Sequence, residues 1–333
     1  MLTNIIIRAS YALLIMLSVI TQAQQTDLQT SKLESAFYNR QYALVSELLA
    51  AQQEKNLNSE IMTVAVAVAQ NLDNKETLLN ALIENNPDNA EVHFMAGELW
   101  YQIKEQSNLF NKLGLVKKSN THFIKAAELA PENPKYLVAA AKALAIESSF
   151  WDSEKKDSKV IVDKLKELDT HYYNLALMDY LQNTQNKKRA LQTVELVSQN
   201  HPQNVALIHR AANLLWTFSA KAKAQRLFVK GCQIEQVIPE RLPTWRDTCL
   251  SAAYLALQQH GDKQLAVDAM EHLLSKEQVK DKQHIEYLMV LGELYRALDD
   301  NNKAKSTYQN ALTLSDDNST QKDIKRALSE LIR

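Results

Sequence analysis

Apolar and small residues fall at three- and four-residue steps along most of this chain, and the clearest stretch is 285–318. There Leu288, Leu291, Gly292 and Tyr295 form one stripe, and Ala304, Tyr308 and Ala311 form a second. Steps of this size put side chains on one face of a helix. The polar run Asp299-Asp300-Asn301-Asn302 separates the stripes, so the pattern predicts a helix, a tight turn and a second helix. A small residue at 292 lets the two backbones approach closely, and Ala304 does the same from the facing helix. The same spacing recurs upstream. Ala266, Met270 and Leu273 repeat the second stripe, with Tyr254 in the small slot of the helix before. Ala224, Phe228 and Gly231 follow Ile208, Ala211, Ala212 and Leu215, and Ala190, Val194 and Val197 follow Asn174, Leu177, Met178 and Leu181. His93, Ala96, Gly97 and Trp100 open another unit that Ser119, Phe123 and Ala126 close. Pro87-Asp88-Asn89, Pro131-Glu132-Asn133 and Pro202-Gln203-Asn204 each stand where one helix should end and the next should be capped, as does Asp316-Asp317-Asn318 without its proline.

This pattern resembles the tetratricopeptide repeat (TPR), a helix pair of about 34 residues. The resemblance implies an all-α fold, an αα-superhelix (TPR solenoid) of about seven to eight helix pairs, each stacked on its neighbours because no pair can bury its own apolar face. The expected organisation is a divergent N-terminal helical segment over 24–55, a TPR-like solenoid over 56–318 and a capping helix over 319–333. Between Trp100 and Ser119 about ten residues exceed the repeat length. This insertion, around 101–118, carries Leu109, Phe110, Leu113 and Leu115, too apolar for a solvated loop. An extended helix, a loop folded back on the scaffold, and a lip that touches a partner all fit it. A second irregularity is expected at Phe150-Trp151-Asp152 and the charged run from Ser153 to Lys159.

Composition agrees with this fold, since only five glycines and six prolines in 333 residues leave long stretches free to be helical. The formal net charge of −1 and the lack of a basic stripe argue against a nucleic-acid partner. The first residues differ in kind. Arg8, an apolar run from Tyr11 to Ile20 and then Thr21-Gln22-Ala23 predict a secretory signal peptide over 1–23, cleaved after Ala23. An uncleaved signal anchor is the alternative, although the run is short for a membrane span. With cleavage no stable membrane span is expected, and the mature chain would be periplasmic or secreted from a bacterium. In such a compartment Cys232 and Cys249, late in one helix and early in the next, could form a disulfide or remain two buried thiols.

The motifs of catalysis are missing: there is no phosphate-cradling glycine loop, His-Glu-x-x-His helix or Gly-x-Ser-x-Gly elbow. A non-enzymatic scaffold without cofactor or metal is therefore expected, binding a protein or peptide partner. In the TPR family the first helices of successive units line a concave groove. The resemblance places Phe94, Glu98, Tyr101, Lys142, Asp179, His209, Asn213, Trp216, Glu293 and Arg296 on that groove, beside Lys135, Tyr172 and Glu286. Some TPR domains clamp a C-terminal carboxylate with lysine and asparagine in fixed slots. Here His209 and Asn213 fill them, and Ser251 and Leu255 follow, so that clamp is absent. The alternative is an accessory subunit of a cell-envelope secretion, pilus or polysaccharide assembly, touching its partners through the insertion or the convex face.

Overall fold

The computed structural model describes residues 31–52, 56–150, 158–258 and 261–331. Among them are seventeen α-helices, one short 3-10 turn and no strand. The expected signal segment over 1–23 and the irregular turn at Trp151 to Asp157 lie outside the described residues. The helices run in pairs: α1 (31–38) with α2 (Tyr42–Ala50), α3 (Leu57–Ala69) with α4 (Lys75–Asn85), and α5 (Ala90–Gln106) with α6 (Leu109–Leu129). The pairs α7 (Pro134–Phe150) with α8 (Ser158–Leu168), α9 (Thr170–Asn183) with α10 (Lys187–Asn200) and α11 (Val205–Thr217) with α12 (Lys221–Cys232) continue the series. Two more, α13 (Leu242–Leu257) with α14 (Lys263–Lys276) and α15 (Lys282–Ala297) with α16 (Asn301–Leu314), precede the single helix α17 (Asn318–Glu330). Successive helices pack on one another, and in most pairs the first helix also touches the first helix of the following pair, as α3 does α5 and α7 does α9. That is the packing of an αα-superhelix of the TPR kind, with eight pairs and a terminal cap.

The close approach within a pair comes from a small residue under an aromatic ring. A Cβ added to Gly292 would enter the space of the Tyr308 ring, and one added to Gly97 would lie 2.5 Å from Cδ1 of Phe123. Ser119 completes the second contact by donating to the Gly97 carbonyl at 2.8 Å. In α13 the buried face runs through Ala252, Ala253 and Ala256, whereas Tyr254 turns outward. The small slot assigned to Tyr254 is thus corrected: a tyrosine would hold the paired helix away, so an alanine face meets it.

The turn inside a pair also recurs. Arg40, Asn71, Gln185, Ser219 and Asp299 all adopt a left-handed conformation, with φ between 53° and 64°. In each case the next amide reaches back to a carbonyl five residues earlier, as in Gln41 to Ala36 and Asp300 to Tyr295. The α1–α2 turn obeys this rule, which makes the divergent N-terminal segment a full member of the series. Between pairs the capping expectation is met: Asn89 accepts from the amides of Glu91 and Val92, Asn204 from Leu207 and Asp317 from Thr320.

The insertion is helical. It lengthens α5 and α6, and the first two turns of α6 leave Leu109, Phe110 and Leu113 at 80, 94 and 73 % exposure. Cys232 and Cys249 are joined in a disulfide that ties α12 to α13 across the linker containing Pro239–Arg241. Closing a loop of this length contributes about 3 kcal/mol in the chain-entropy account. No described helix is long and apolar enough to cross a membrane.

Two glycines give opposite expectations. Gly292→Ala should cost about 1–3 kcal/mol by overpacking against Tyr308. Gly114 has no atom near its missing Cβ, so Gly114→Ala should be neutral or stabilise by up to ~1 kcal/mol through helix propensity. Urea denaturation of both variants checks the pair, and equal midpoints would contradict the close-approach argument.

Candidate functional site

The superhelix completes a turn, and its first pair meets its seventh and eighth. In the turn after α1, Arg40 pairs with Glu277, reaches Asp281 at 3.2 Å and donates to Gln283. Arg246 of α13 donates from Nε to the same Glu277 at 2.6 Å and from Nη1 to the Tyr38 carbonyl at 2.8 Å. The Arg40 guanidinium lies 5.7 Å from the centre of the Tyr287 ring. All three members of the Arg40–Glu277–Arg246 set are buried. The first helices of the pairs therefore face the inside of a closed ring, the enclosed space here called the channel, rather than an open groove.

Glu98 of α5 shows how the channel wall behaves. The residue is exposed to solvent, yet the surrounding concave wall crowds it and desolvation raises its carboxyl above the ordinary range, against the pull of Lys142 and Lys135. Asp247 of α13 is in the same situation. It is exposed, yet desolvation by the crowded concave wall pushes its carboxyl up to about 6, with Arg246 opposing and Glu286 assisting. His209 of α11 is held neutral: desolvation, then Arg210 and Lys142, bring its imidazole down to about 4. Its Nδ1 lies 2.9 Å from the Thr248 hydroxyl, whose proton goes to the Thr244 carbonyl at 2.6 Å. The Thr248 oxygen must then accept, which assigns the ring proton to Nδ1 and leaves Nε2 as an acceptor. Beside it, Arg210 pairs with Asp179 of α9 at 2.5 Å.

The family-implied residues thus meet different surroundings. Glu98, Lys142, Asp179 and His209 are linked by mutual charge effects or direct pairing around the channel wall, with Lys135 joining them. Tyr101 is 42 % exposed, with Lys104 at 3.6 Å and Lys142 at 5.6 Å from its ring centre, and so presents an aromatic face flanked by cations. Phe94 is buried, stacked on Tyr136 and covered by Lys135 at 4.5 Å. Trp216 is half-buried and meets Phe228 edge-on at 6.4 Å, and Asn213 is likewise half-buried one turn before it. Glu293 and Arg296 pair with each other. Glu293 also accepts from the Tyr308 hydroxyl at 2.7 Å, and Arg296 binds Glu330 at 2.7 Å. They tie α15 to α16 and α17, and with Leu257 and Ala297 they line an open depression of about 460 Å³.

Sequence reasoning passed over Asp247, Arg210 and the α1 residues Glu34 and Tyr38. Glu34 is raised by desolvation and then by Glu240, while Lys135 and Glu91 also act on it; Tyr38 is pushed up to about 12 by burial, then Glu240, Glu34 and Glu98. α1 therefore sits where both α5 and the linker before α13 can be felt across the channel. His93 and His122 also meet, Nδ1 to Nδ1 at 2.9 Å, with His93 Nε2 donating to the Pro87 carbonyl. Burial, then His93 and Lys118, bring the His122 imidazole down to about 4. Among the described residues no cluster of three or more His, Cys, Asp or Glu is placed to hold a metal ion.

No protein-family model and no curated protein matches the chain. Among solved structures, it is similar to a chain of the APC/C hetero-tetramer Cut9-Hcn1, at 16 % identity and TM-score 0.45 over 91 % of this chain and 56 % of that one. It is also similar to the human IFIT1 dimer with PPP-AAAA, at 15 % identity and TM-score 0.49 over 84 % of this chain and 64 % of that one. The chain thus spans less than two thirds of either. The likeness is loose, and the fold assignment stands on the helix packing described above.

The raised carboxyl of Asp247 has a measurable consequence. The folded chain holds this proton more tightly than the unfolded one, so its contribution is complete below about pH 4 and is lost as pH rises through about 6. Solvent access reduces the size of the effect. Asp247→Asn should match the parent near pH 4 and exceed it by about 0.5–1 kcal/mol near pH 8. Urea titrations at the two pH values check this, and a destabilised Asn variant near pH 8 would contradict it.

Proposed function

We propose that this chain is an exported, non-enzymatic scaffold whose channel holds an extended segment of a protein partner. The observation that carries the reading is the solvent-accessible polar wall enclosed by the superhelix, with Glu98, Lys142, His209 and Asp247 around it. An extended backbone offers amide donors and acceptors along its whole length. A wall that alternates carboxylates, cations and a neutral imidazole can meet them without matching one net charge. Tyr101, with its flanking lysines, supplies an aromatic anchor beside that wall. Phe94 and Trp216 contribute by holding the helices in place, since their rings are largely taken up by Tyr136 and Phe228.

Export is supported by the signal-like segment over 1–23 and by the Cys232–Cys249 disulfide, which suits an oxidising compartment. A bacterial periplasm is the compartment we favour. A second reading, an accessory subunit of an envelope assembly, draws on the apolar tip formed by Leu109, Phe110 and Leu113.

A photo-crosslinking amino acid placed singly at Glu98, Phe110 or Glu195, an exposed residue of α10, separates these readings. Adducts at Glu98 are expected, with none at Glu195. Adducts at Phe110 alone would favour the assembly reading and overturn the channel. With the partner in hand, Lys142→Glu should weaken binding about tenfold, as expected for reversing a charge on the contact surface.

A further inference from the structure

The α1–α2 hairpin touches the rest of the molecule in two places of opposite character. Toward α3 it is apolar, with Leu33, Ala36 and Val45 packed on Val66 and Met62. Toward α13–α15 it is polar: the Arg40–Glu277–Arg246 set, the Tyr38 carbonyl, Asp281 and Gln283. The apolar clusters of the described residues respect this boundary. One runs from Leu33 to Val66, one from Ile61 to Leu115 and one from Ala127 to Ala327, and no cluster joins the hairpin to α13–α15.

We propose that this seam is a latch, opening between α1–α2 and α13–α15 so that the channel can receive a chain from the side and close around it. The inference rests on the channel reading above and adds the route of entry. Three features support it. Separating any consecutive helix pairs would expose a continuous apolar face, whereas separating the seam exposes mainly charged and polar groups, together with the Tyr287 ring beneath Arg40. Glu277 keeps Arg246 as a partner when Arg40 leaves, so opening does not strand a bare buried carboxylate, the costly way to break such a set. The turn that carries Arg40 is fixed by the left-handed residue and its backward hydrogen bond, so the hairpin can move as a unit.

Entry is read without any partner. Asp247→Cys gives the full chain a single free thiol inside the channel, because the native cysteines are joined. A bulky polyethylene-glycol maleimide should label it slowly and a small maleimide quickly. Adding Arg40→Ala should raise the bulky rate by about tenfold, and hydrogen exchange should quicken across 31–50 while 57–129 stays protected. Unchanged bulky labelling, or exchange that quickens throughout 57–129, would overturn the latch. Should the Arg40 variant fail to fold, the contact between Gln41 and Gln278, at 3.5 Å, offers a second route. In Gln41→Cys/Gln278→Cys, bridging the two thiols with a short bis-maleimide should slow exchange in 31–50 relative to the same variant with each thiol capped singly, and identical exchange would mean that the seam does not open. Neither readout depends on partner capture, so failure of the latch is distinguishable from failure of the channel reading.

Discussion

The architecture depends on how closely two helices of a pair can approach. Where Gly292 lies under Tyr308 and Gly97 under Phe123, the missing Cβ atoms let an aromatic ring occupy the gap between backbones. That contact sets the angle within a pair, and repeating the angle curves the stack. Curvature then decides whether first and last units meet. Here eight pairs are enough for the α1–α2 turn to reach α14 and α15, and a chain whose local contacts are all between neighbours gains an ion-pair set across 237 residues. The closed channel is thus a summed consequence of small side chains at regular positions.

Closure changes the electrostatics of the inner wall. On an open concave face, Glu98 and Asp247 would be ordinary surface carboxylates. Facing helices on several sides displace enough solvent to raise both, and the same crowding keeps the half-buried His209 neutral. Water in the channel still reaches these groups, so the wall remains polar and able to bind, but charge on it is costly unless answered. In the function proposed above, an incoming backbone would answer it with dipoles.

Much of the helical register was legible because it depends on local chemistry. The Gly292/Tyr308 and Gly97/Phe123 spacings and the Asn89, Asn204 and Asp317 caps are each decided within a few dozen residues. Where the local signal misled, tertiary packing had overridden it. Tyr254 had the right spacing but too large a side chain, so the alanines beside it form the buried face. Arg40, Gln185 and Ser219 occupy left-handed turn positions for which glycine or asparagine is the usual sign, and so gave none. The channel was harder still. Phe94 carries a groove position but turns its ring into the Tyr136 stack, and Asp247 acquires its raised carboxyl only once the superhelix surrounds it.

The Arg40–Glu277–Arg246 set shows why the seam escaped notice and why it is suited to motion. No periodicity links residue 40 to residue 277; the one available hint is Arg246, a charge set among the otherwise buried Trp245, Thr248 and Cys249. Buried ion pairs repay their desolvation only with good geometry, so they contribute more to fixing a position than to net stability. An apolar seam at this place would have made the ring permanent. A seam of charges with a spare partner for Glu277 holds the ring in one register while leaving it the interface that opens at least cost.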